Sequence, residues 1–223
     1  MSGPGPILDA GAFDAVVAEL VAADDALARV VAEHGVPPFW SRPAGFRALV
    51  LLILEQQVSL ASAAAAYRRL RARVRTVTPE TVLACSPEEL RADGVSRQKD
   101  RYLRALAEAV AGGALDLDAL ATHDDETARA ELVALPGIGR WTADVYLLAC
   151  LGRPDLWPVG DRALQVAVAE ALELPEVPDP VALEPLGERW RPHRSSAARI
   201  LWHGYLGRRN RVETPADLLD DLV

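Results

Sequence analysis

The chain has 223 residues, a formal net charge of −8, 50% hydrophobic residues and 25% charged residues, a composition typical of folded globular proteins and not of disordered ones. Two cysteines are too few for a disulfide scaffold or a four-cysteine iron–sulfur or zinc site, so we expect reduced thiols, no metal and no cofactor in a cytoplasmic protein. No apolar run is long enough for a membrane span, and the N-terminal segment lacks the basic and apolar regions of a signal peptide.

Apolar residues recur at helical spacing along most of the chain, while strand alternation is almost absent. The first well-marked apolar stripe covers residues 60–74, with Ser59 as the expected N-cap. Thr78 and Ser86 each precede a proline at a helix start, and Glu89 completes a capping box. The sequence therefore predicts an all-α fold of roughly ten helices joined by short turns.

The segment Leu-Pro-Gly-Ile-Gly-Arg, residues 135–140, lies between two of these predicted helices. Gly137 and Gly139 can adopt positive φ and leave no side chain between the backbone and a ligand. The N–H groups at the start of the next helix, which begins at Arg140, favour an anion such as a phosphate. The glycine pair alone indicates only a turn, whereas the longer string through Thr142 is much more specific.

That longer string, LPGIGRWTADVYLL at 135–148, is followed by WPVGDRALQ at 157–165, and together they resemble the helix–hairpin–helix DNA glycosylase superfamily. Three further segments agree in order and spacing: ILEQQVSLASA at 53–63, GVSRQKDRYLRALA at 94–107 and ERWRPHRSSAARILWH at 188–203. The similarity is greatest with the branch of bacterial DNA-3-methyladenine glycosylase II. It implies a single two-lobed helical unit over residues 1–223, with a central lobe at about 45–151 that contains the hairpin. The second lobe would combine residues 1–44 and 152–223.

The same resemblance implies which residues bind duplex DNA. The hairpin would contact the DNA backbone through Gly137, Ile138, Gly139, Arg140 and Thr142. Gln57, or its neighbour Gln56 if the register is shifted by one, would enter the gap left by a flipped base; a polar pair that caps the preceding helix is the alternative. Arg191 and Arg194 would reach phosphates, unless they are solvated surface charges. The resemblance leaves open whether a monovalent cation binds at the hairpin.

Asp161 stands at the start of another predicted helix, where aspartate is a common N-cap. By the resemblance it is the catalytic aspartate, whose carboxylate would stabilise an oxocarbenium-like sugar or orient the attacking water. The two roles are compatible, because one carboxylate oxygen can cap the helix while the other faces the sugar. Relatives that also cut the DNA strand carry a lysine in the second hairpin helix. Here Trp141 follows Arg140, and the only lysine, Lys99, lies on an earlier helix, so we expect no lyase activity.

A base pocket is implied at Trp141 and Trp202, with Tyr146 as a further candidate; plain helix packing is the alternative for each. Such a pocket would hold a base that has been rotated out of the duplex. Aromatic walls favour a cationic base, such as a purine alkylated at N3 or N7, by roughly 0.5–2 kcal/mol. Val145 stands where a close relative has an aromatic pocket residue, which predicts a wider or differently selective pocket.

These features predict a monofunctional DNA glycosylase of base excision repair that flips and excises alkylated purines such as 3-methyladenine. Its partner would be damaged double-stranded DNA, bound by a monomer at the bacterial nucleoid without a protein partner or a membrane. The alternative is a non-catalytic hairpin protein that recognises distorted DNA and needs neither Asp161 nor the pocket. The missing cysteine cluster and hairpin lysine disfavour glycosylases of mispaired adenine and of oxidised bases. The order of the motifs disfavours a helical scaffold without a DNA partner. The negative net charge does not exclude DNA binding, because arginines cluster locally.

Overall fold

The computed structural model of the protein describes residues 7–211. Over that range the chain forms thirteen α-helices and one 3₁₀ helix, with no strand. The all-α prediction is therefore confirmed, with more and shorter helices than expected. The helices are α1 (Ala10–Ala23), α2 (Asp25–His34), α3 (Phe46–Glu55), α4 (Leu60–Val74), α5 (Pro79–Ala84), α6 (Pro87–Ala92), α7 (Arg97–Ala111), α8 (Leu117–Leu120), α9 (Asp125–Val133), α10 (Arg140–Ala149), α11 (Arg162–Ala171), α12 (Pro180–Leu186) and α13 (Arg194–Arg208), with the 3₁₀ helix at Gly187–Trp190.

The described residues divide into two compact units. The first, which we call the hairpin unit, is Arg42–Tyr146; the second, the aspartate unit, combines residues 7–41 and 147–211. The division falls inside α10, between Tyr146 and Leu147, whereas the resemblance implied a boundary after that helix, at about residue 151. A sequence motif locates the helix, but it does not show to which unit each half of the helix belongs.

The core of the hairpin unit is built around α3. Its residues from Ala48 to Leu54 are at most 2% exposed, because a helix that is apolar on every side is stable only when neighbours surround it. Helices α4 and α7 pack against α3, and α5 and α6 pack against α7. Leu70 of α4 and Leu103 of α7 are fully buried. The apolar stripes of the sequence therefore face this central helix.

The predicted N-caps of the hairpin unit are all formed. The Ser59 side chain accepts a hydrogen bond from the N–H of Ser62 at the start of α4. Thr78 and Ser86 each make a capping box, the second with Glu89 as expected. Caps of this kind contribute about 1 kcal/mol each.

The aspartate unit is organised around α13, which packs against α1, α2 and α11. Ala197, Ala198 and Leu201 of α13 are fully buried, so this helix occupies the centre of the unit. Charged and aromatic side chains of α13 are consequently held inside it, among them those of Arg199 and Trp202. Among the helices that the structure describes, none is long and apolar enough to cross a membrane.

Candidate functional site

The hairpin of the first unit joins α9 to α10 through a turn that needs a glycine at position 137. Gly137 has a φ of 86°, in the region that L side chains rarely adopt. A Cβ atom at this position would also overlap the ring of Tyr102. Gly139 differs, since a Cβ atom there would meet nothing within 4 Å. Gly137 is therefore required by the fold itself, while Gly139 keeps the outer surface of the hairpin open to a ligand.

The other hairpin residues divide between the outside and the core. Arg140 is exposed and lies 3.4 Å from Asp144 through its Nε atom. Ile138 is buried, and its N–H donates to the carbonyl oxygen of Leu135 at 3.1 Å. Thr142 is only 2% exposed, so its side chain faces inward. Among the predicted DNA-binding residues of the hairpin, Gly139 and Arg140 are the exposed ones.

The sequence did not single out Asp144, which stabilises the hairpin from inside. Its side chain is completely buried and accepts a 2.6 Å hydrogen bond from Nε of Arg129, on the opposite helix of the hairpin. Burial raises the pKa of Asp144 and outweighs the opposing effect of Arg129 and Arg140. An aspartate four residues after an arginine was the available signal, but the pairing with Arg129 depends on the hairpin geometry.

The two glutamines at the end of α3 have different environments. Nε2 of Gln56 donates to the carbonyl oxygen of Gly137 at 2.8 Å and to Oγ1 of Thr142 at 3.0 Å. Gln57 is exposed and has a φ of 58°. Gln56 therefore ties the end of α3 to the hairpin, and Gln57 projects from the loop beyond it.

Two further groups hold the end of α3 in place. Arg42 donates to both carboxylate oxygens of the buried Glu55, at 2.8 and 2.9 Å. Nζ of Lys99 donates to the carbonyl oxygen of Leu54 at 2.6 Å, and burial lowers the pKa of this lysine. The only lysine of the chain therefore satisfies the carbonyl group of Leu54 at the end of α3.

The predicted aromatic residues of the hairpin unit differ in accessibility. Trp141 is partly exposed on the first turn of α10. Tyr146 is 0% exposed, and its hydroxyl oxygen accepts a hydrogen bond from the N–H of Gly45 at 3.0 Å. Its ring has no surface to offer to a base in this structure, because it forms part of the core.

In the aspartate unit, Asp161 is the N-cap of α11. Its Oδ1 atom accepts a 2.7 Å hydrogen bond from the N–H of Leu164 and a 3.1 Å bond from Nε1 of Trp202. The first bond fixes the carboxylate to the helix start, and the second sets its orientation toward the indole. The structure therefore places Asp161 and Trp202, two of the residues singled out in the sequence, in direct contact.

A second tryptophan, which the sequence did not single out, accompanies this pair. The rings of Trp40 and Trp202 have centroids 5.6 Å apart at an angle of 45°. Trp40 is partly exposed, whereas Trp202 is 9% exposed. The only sequence feature that could have indicated a role for Trp40 was an aromatic pair between prolines, in the segment VPPFWSRP.

Arg191 and Arg194 are engaged with carboxylates of their own unit. Arg191 donates to Glu188 and to Asp155, both at 2.7 Å. Its hydrogen bond to Glu188 is the main reason that the pKa of Arg191 is raised. Nε of Arg194 donates to Oδ1 of Asp155 at 2.8 Å. Contact with a phosphate would therefore require exchange of existing ion pairs.

Metal ligands are not gathered anywhere in residues 7–211: no group of three or more histidine, cysteine, aspartate or glutamate side chains could hold a metal ion there. The carbonyl oxygen of Gly137 accepts the hydrogen bond from Gln56. Binding of a monovalent cation at the hairpin stays a prediction.

Relatives with solved structures are similar over most of the chain. The 3-methyladenine DNA glycosylase of Schizosaccharomyces pombe, in complex with abasic DNA, has a TM-score of 0.77 and 26% identity, and the match covers 84% of this chain and 95% of that one. A DNA-3-methyladenine glycosidase from Bacillus halodurans has a TM-score of 0.72 and 32% identity, with coverage of 87% and 91%. DNA-3-methyladenine glycosylase 2 of Escherichia coli is 30% identical over 169 residues, which are 69% of this chain and 55% of that protein.

The length of the match differs among relatives. The chain spans 43% of the length of a curated relative from Bacillus subtilis and 21% of one from Mycobacterium tuberculosis. Residues 50–192, which include the hairpin and Asp161, match the family model described as HhH-GPD superfamily base excision DNA repair protein. The chain therefore belongs to the HhH-GPD superfamily of base excision DNA repair proteins.

Proposed function

We propose that the protein is a monofunctional DNA glycosylase that hydrolyses the N-glycosidic bond of alkylated purines, such as 3-methyladenine, in double-stranded DNA. It would act as a monomer in the cytoplasm, at the bacterial nucleoid, in the first step of base excision repair. The observation that carries the proposal is the carboxylate of Asp161, held by two hydrogen bonds to Oδ1 and placed against the Trp202 indole, in a chain of this superfamily.

The proposed reaction starts with cleavage of the C1′–N9 bond of the damaged nucleotide. The bonding electrons pass to the purine, which leaves as a neutral base if alkylation had made it cationic. The Asp161 carboxylate stabilises the resulting oxocarbenium-like sugar. Water then adds to C1′ and loses its proton to the carboxylate or to solvent, which leaves an abasic site. A purine that already carries positive charge needs no separate general acid.

Binding of the DNA backbone is proposed for the hairpin, at the exposed Gly139 and at the N-terminus of α10, where N–H groups and the helix dipole favour a phosphate. Arg140 would add a positive charge there. We propose Gln57 as the side chain that enters the gap left by the flipped base, since it is exposed. Gln56 would support it through its bonds to the hairpin.

Absence of lyase activity is the finer part of the proposal. Strand cleavage by this superfamily's bifunctional members uses a lysine amine as nucleophile. Lys99, the only lysine of the chain, donates to the carbonyl oxygen of Leu54. The abasic product should therefore remain an intact strand until it is treated with alkali.

The test measures release of free methylated bases from alkylated duplex DNA at low salt by the unmodified protein and by Asp161→Asn. Asp179→Asn is the matched control, because Asp179 caps α12 through a 2.8 Å bond to Ala182 in the same way. We expect Asp161→Asn to lose base release and keep DNA binding, while Asp179→Asn keeps both. Equal release by all three proteins would reduce Asp161 to a helix cap. Binding without release by the unmodified protein would favour the non-catalytic alternative.

A further inference from the structure

Arg199 is a buried cation that the proposed function does not use. It lies on α13, is 0% exposed, and donates to the carbonyl oxygens of Ser195 at 3.2 Å and Leu148 at 3.0 Å. Burial lowers the pKa of Arg199 to about 10, so the guanidinium stays charged at neutral pH. Within residues 7–211 none of its described hydrogen bonds goes to a carboxylate. A buried charge of this kind needs some other compensation.

Two aromatic rings supply that compensation. The Cζ atom of Arg199 lies 5.1 Å from the ring centroid of Phe39 and 5.1 Å from that of Trp40. A cation at this distance from a ring face is attracted by the electrons of the ring. The contact fixes the segment that precedes the hairpin unit against α13, and it fixes the position of Trp40 in particular.

Trp40 connects this buried charge to the proposed reaction centre. Its ring contacts that of Trp202, whose Nε1 donates to Asp161. Arg199 is completely buried whereas Trp40 is partly exposed. Arg199 therefore contacts Trp40 from the buried interior, and a ligand could contact only the part of the indole that stays exposed.

We propose that Trp40 is a further, specificity-determining wall of the base site, and that Arg199 behind it makes this wall indifferent to the charge of the base. The inference rests on the proposed function, because it assumes that a flipped base lies beside Asp161. An indole attracts a cation through the negative potential of its face. The positive charge of Arg199 offsets part of the negative potential of the Trp40 ring and also repels a cationic base. Trp40 would then stack on neutral and cationic purines to a similar extent.

The two tryptophans would then have different roles. Trp202, which carries no cation in its described contacts, would favour a cationic purine. Trp40 would contribute stacking without that preference, so modified purines without positive charge would also be held. Removal of the Arg199 charge should restore the preference of Trp40 for cationic bases. A full cation–π contribution corresponds to about 2- to 30-fold in rate or affinity.

The experiment compares single-turnover excision of 7-methylguanine, a cationic base, and hypoxanthine, a neutral base, from otherwise identical duplexes. The measured quantity is the ratio of the two rates after correction for spontaneous loss. We expect Arg199→Met to raise the ratio of cationic to neutral excision by about 2- to 30-fold. Arg209→Met is the matched control, because it removes a guanidinium 3.9 Å from the Tyr205 ring centroid at the end of the same helix, and it should leave the ratio unchanged.

A double variant tests whether the effect passes through the indole. In a Trp40→Ala background, Arg199→Met should no longer change the ratio. Trp40→Ala alone should slow excision of both bases by similar factors, and this prediction holds even if Arg199→Met does not fold. Three results would overturn this inference while leaving the proposed function intact. They are an unchanged ratio in folded Arg199→Met, the same change of ratio in the Trp40→Ala background, and a selective loss of 7-methylguanine excision in Trp40→Ala. Release of neither base by the unmodified protein would overturn the proposed function as well.

Discussion

The two hairpin glycines should respond in opposite ways to the same substitution. In Gly137→Ala the new Cβ atom is placed at a φ of 86°, which costs about 1–2 kcal/mol for an L residue. It also overlaps the ring of Tyr102, whose hydroxyl accepts a 2.6 Å hydrogen bond from Gln98. Overpacking of this kind adds about 1–3 kcal/mol. The free energy of unfolding should therefore fall by about 2–5 kcal/mol, which corresponds to roughly 4–20 °C in Tm.

Gly139→Ala should leave the fold intact. A Cβ atom at residue 139 meets nothing within 4 Å, and the backbone there is not in the left-handed region. The change in stability should stay within about 0.5 kcal/mol. If a phosphate approaches the backbone at this point, the methyl group would displace it. One hydrogen bond to a charged group contributes about 1.5–3 kcal/mol, so DNA affinity should fall about 10- to 100-fold.

Thermal unfolding and fluorescence anisotropy with a duplex that contains an abasic site measure the two effects separately. The expected pattern is a large loss of Tm with Gly137→Ala, and a large loss of affinity at unchanged Tm with Gly139→Ala. Full DNA affinity in Gly139→Ala would refute the role of this hairpin surface in backbone binding. An unchanged Tm in Gly137→Ala would refute the assignment of that glycine to the fold.

Two further predictions concern the end of α3 and an ion pair on α11. Gln57→Ala should weaken binding to abasic DNA without a change in Tm. Gln56→Leu removes two hydrogen bonds, so it should lower the free energy of unfolding by about 1–3 kcal/mol and also weaken DNA binding. The reversed pattern would exchange the roles assigned to Gln56 and Gln57. A hydrogen bond from Arg209 is the main reason that the pKa of Glu170 lies below 4.5, and Arg208 is a further donor. The ion pairs therefore stabilise the fold above pH 4.5, and this stabilisation is lost as the pH falls through the lowered pKa. Glu170→Gln should therefore have a lower Tm at pH 7 and a smaller loss of Tm on acidification. Thermal unfolding curves recorded from pH 7 to 3 measure both effects. The same dependence of Tm on pH in the variant and in the unmodified protein would contradict this prediction.

Local sequence features were sufficient to predict the helices, the caps and the hairpin. A serine before a proline, or a glycine that needs positive φ, acts over a few residues. The Ser86 cap and the positive φ of Gly137 formed as expected, whereas Gly139 does not adopt a positive φ. Asp161 was recognised as an N-cap for the same reason, whereas its catalytic role was implied by the resemblance and stays a prediction. These predictions rest on short-range chemistry and on a motif in which the spacing is itself informative.

Features that depend on long-range packing could not be predicted from the sequence. Trp40 and Arg199 are far apart in the chain, and their contact exists only because the segment before residue 42 packs on α13. Gln56 and Gln57 are adjacent and chemically identical, so only the direction of the chain after α3 distinguishes the residue bound to the hairpin from the exposed one. Likewise, helical spacing could not show that Tyr146 lies wholly in the core.

The loop that carries Gln57 affects the entropy of binding of any ligand that contacts it. Its backbone is restrained on one side by the Gln56 side chain and on the other by the Ser59 cap. The backbone entropy of this loop is therefore lost when the chain folds, and what remains to be lost when a ligand binds is mainly the rotamer freedom of the exposed Gln57 side chain. Association at this loop should carry a small entropic penalty, and loosening of Gln56 should appear mainly as a less favourable entropy of binding.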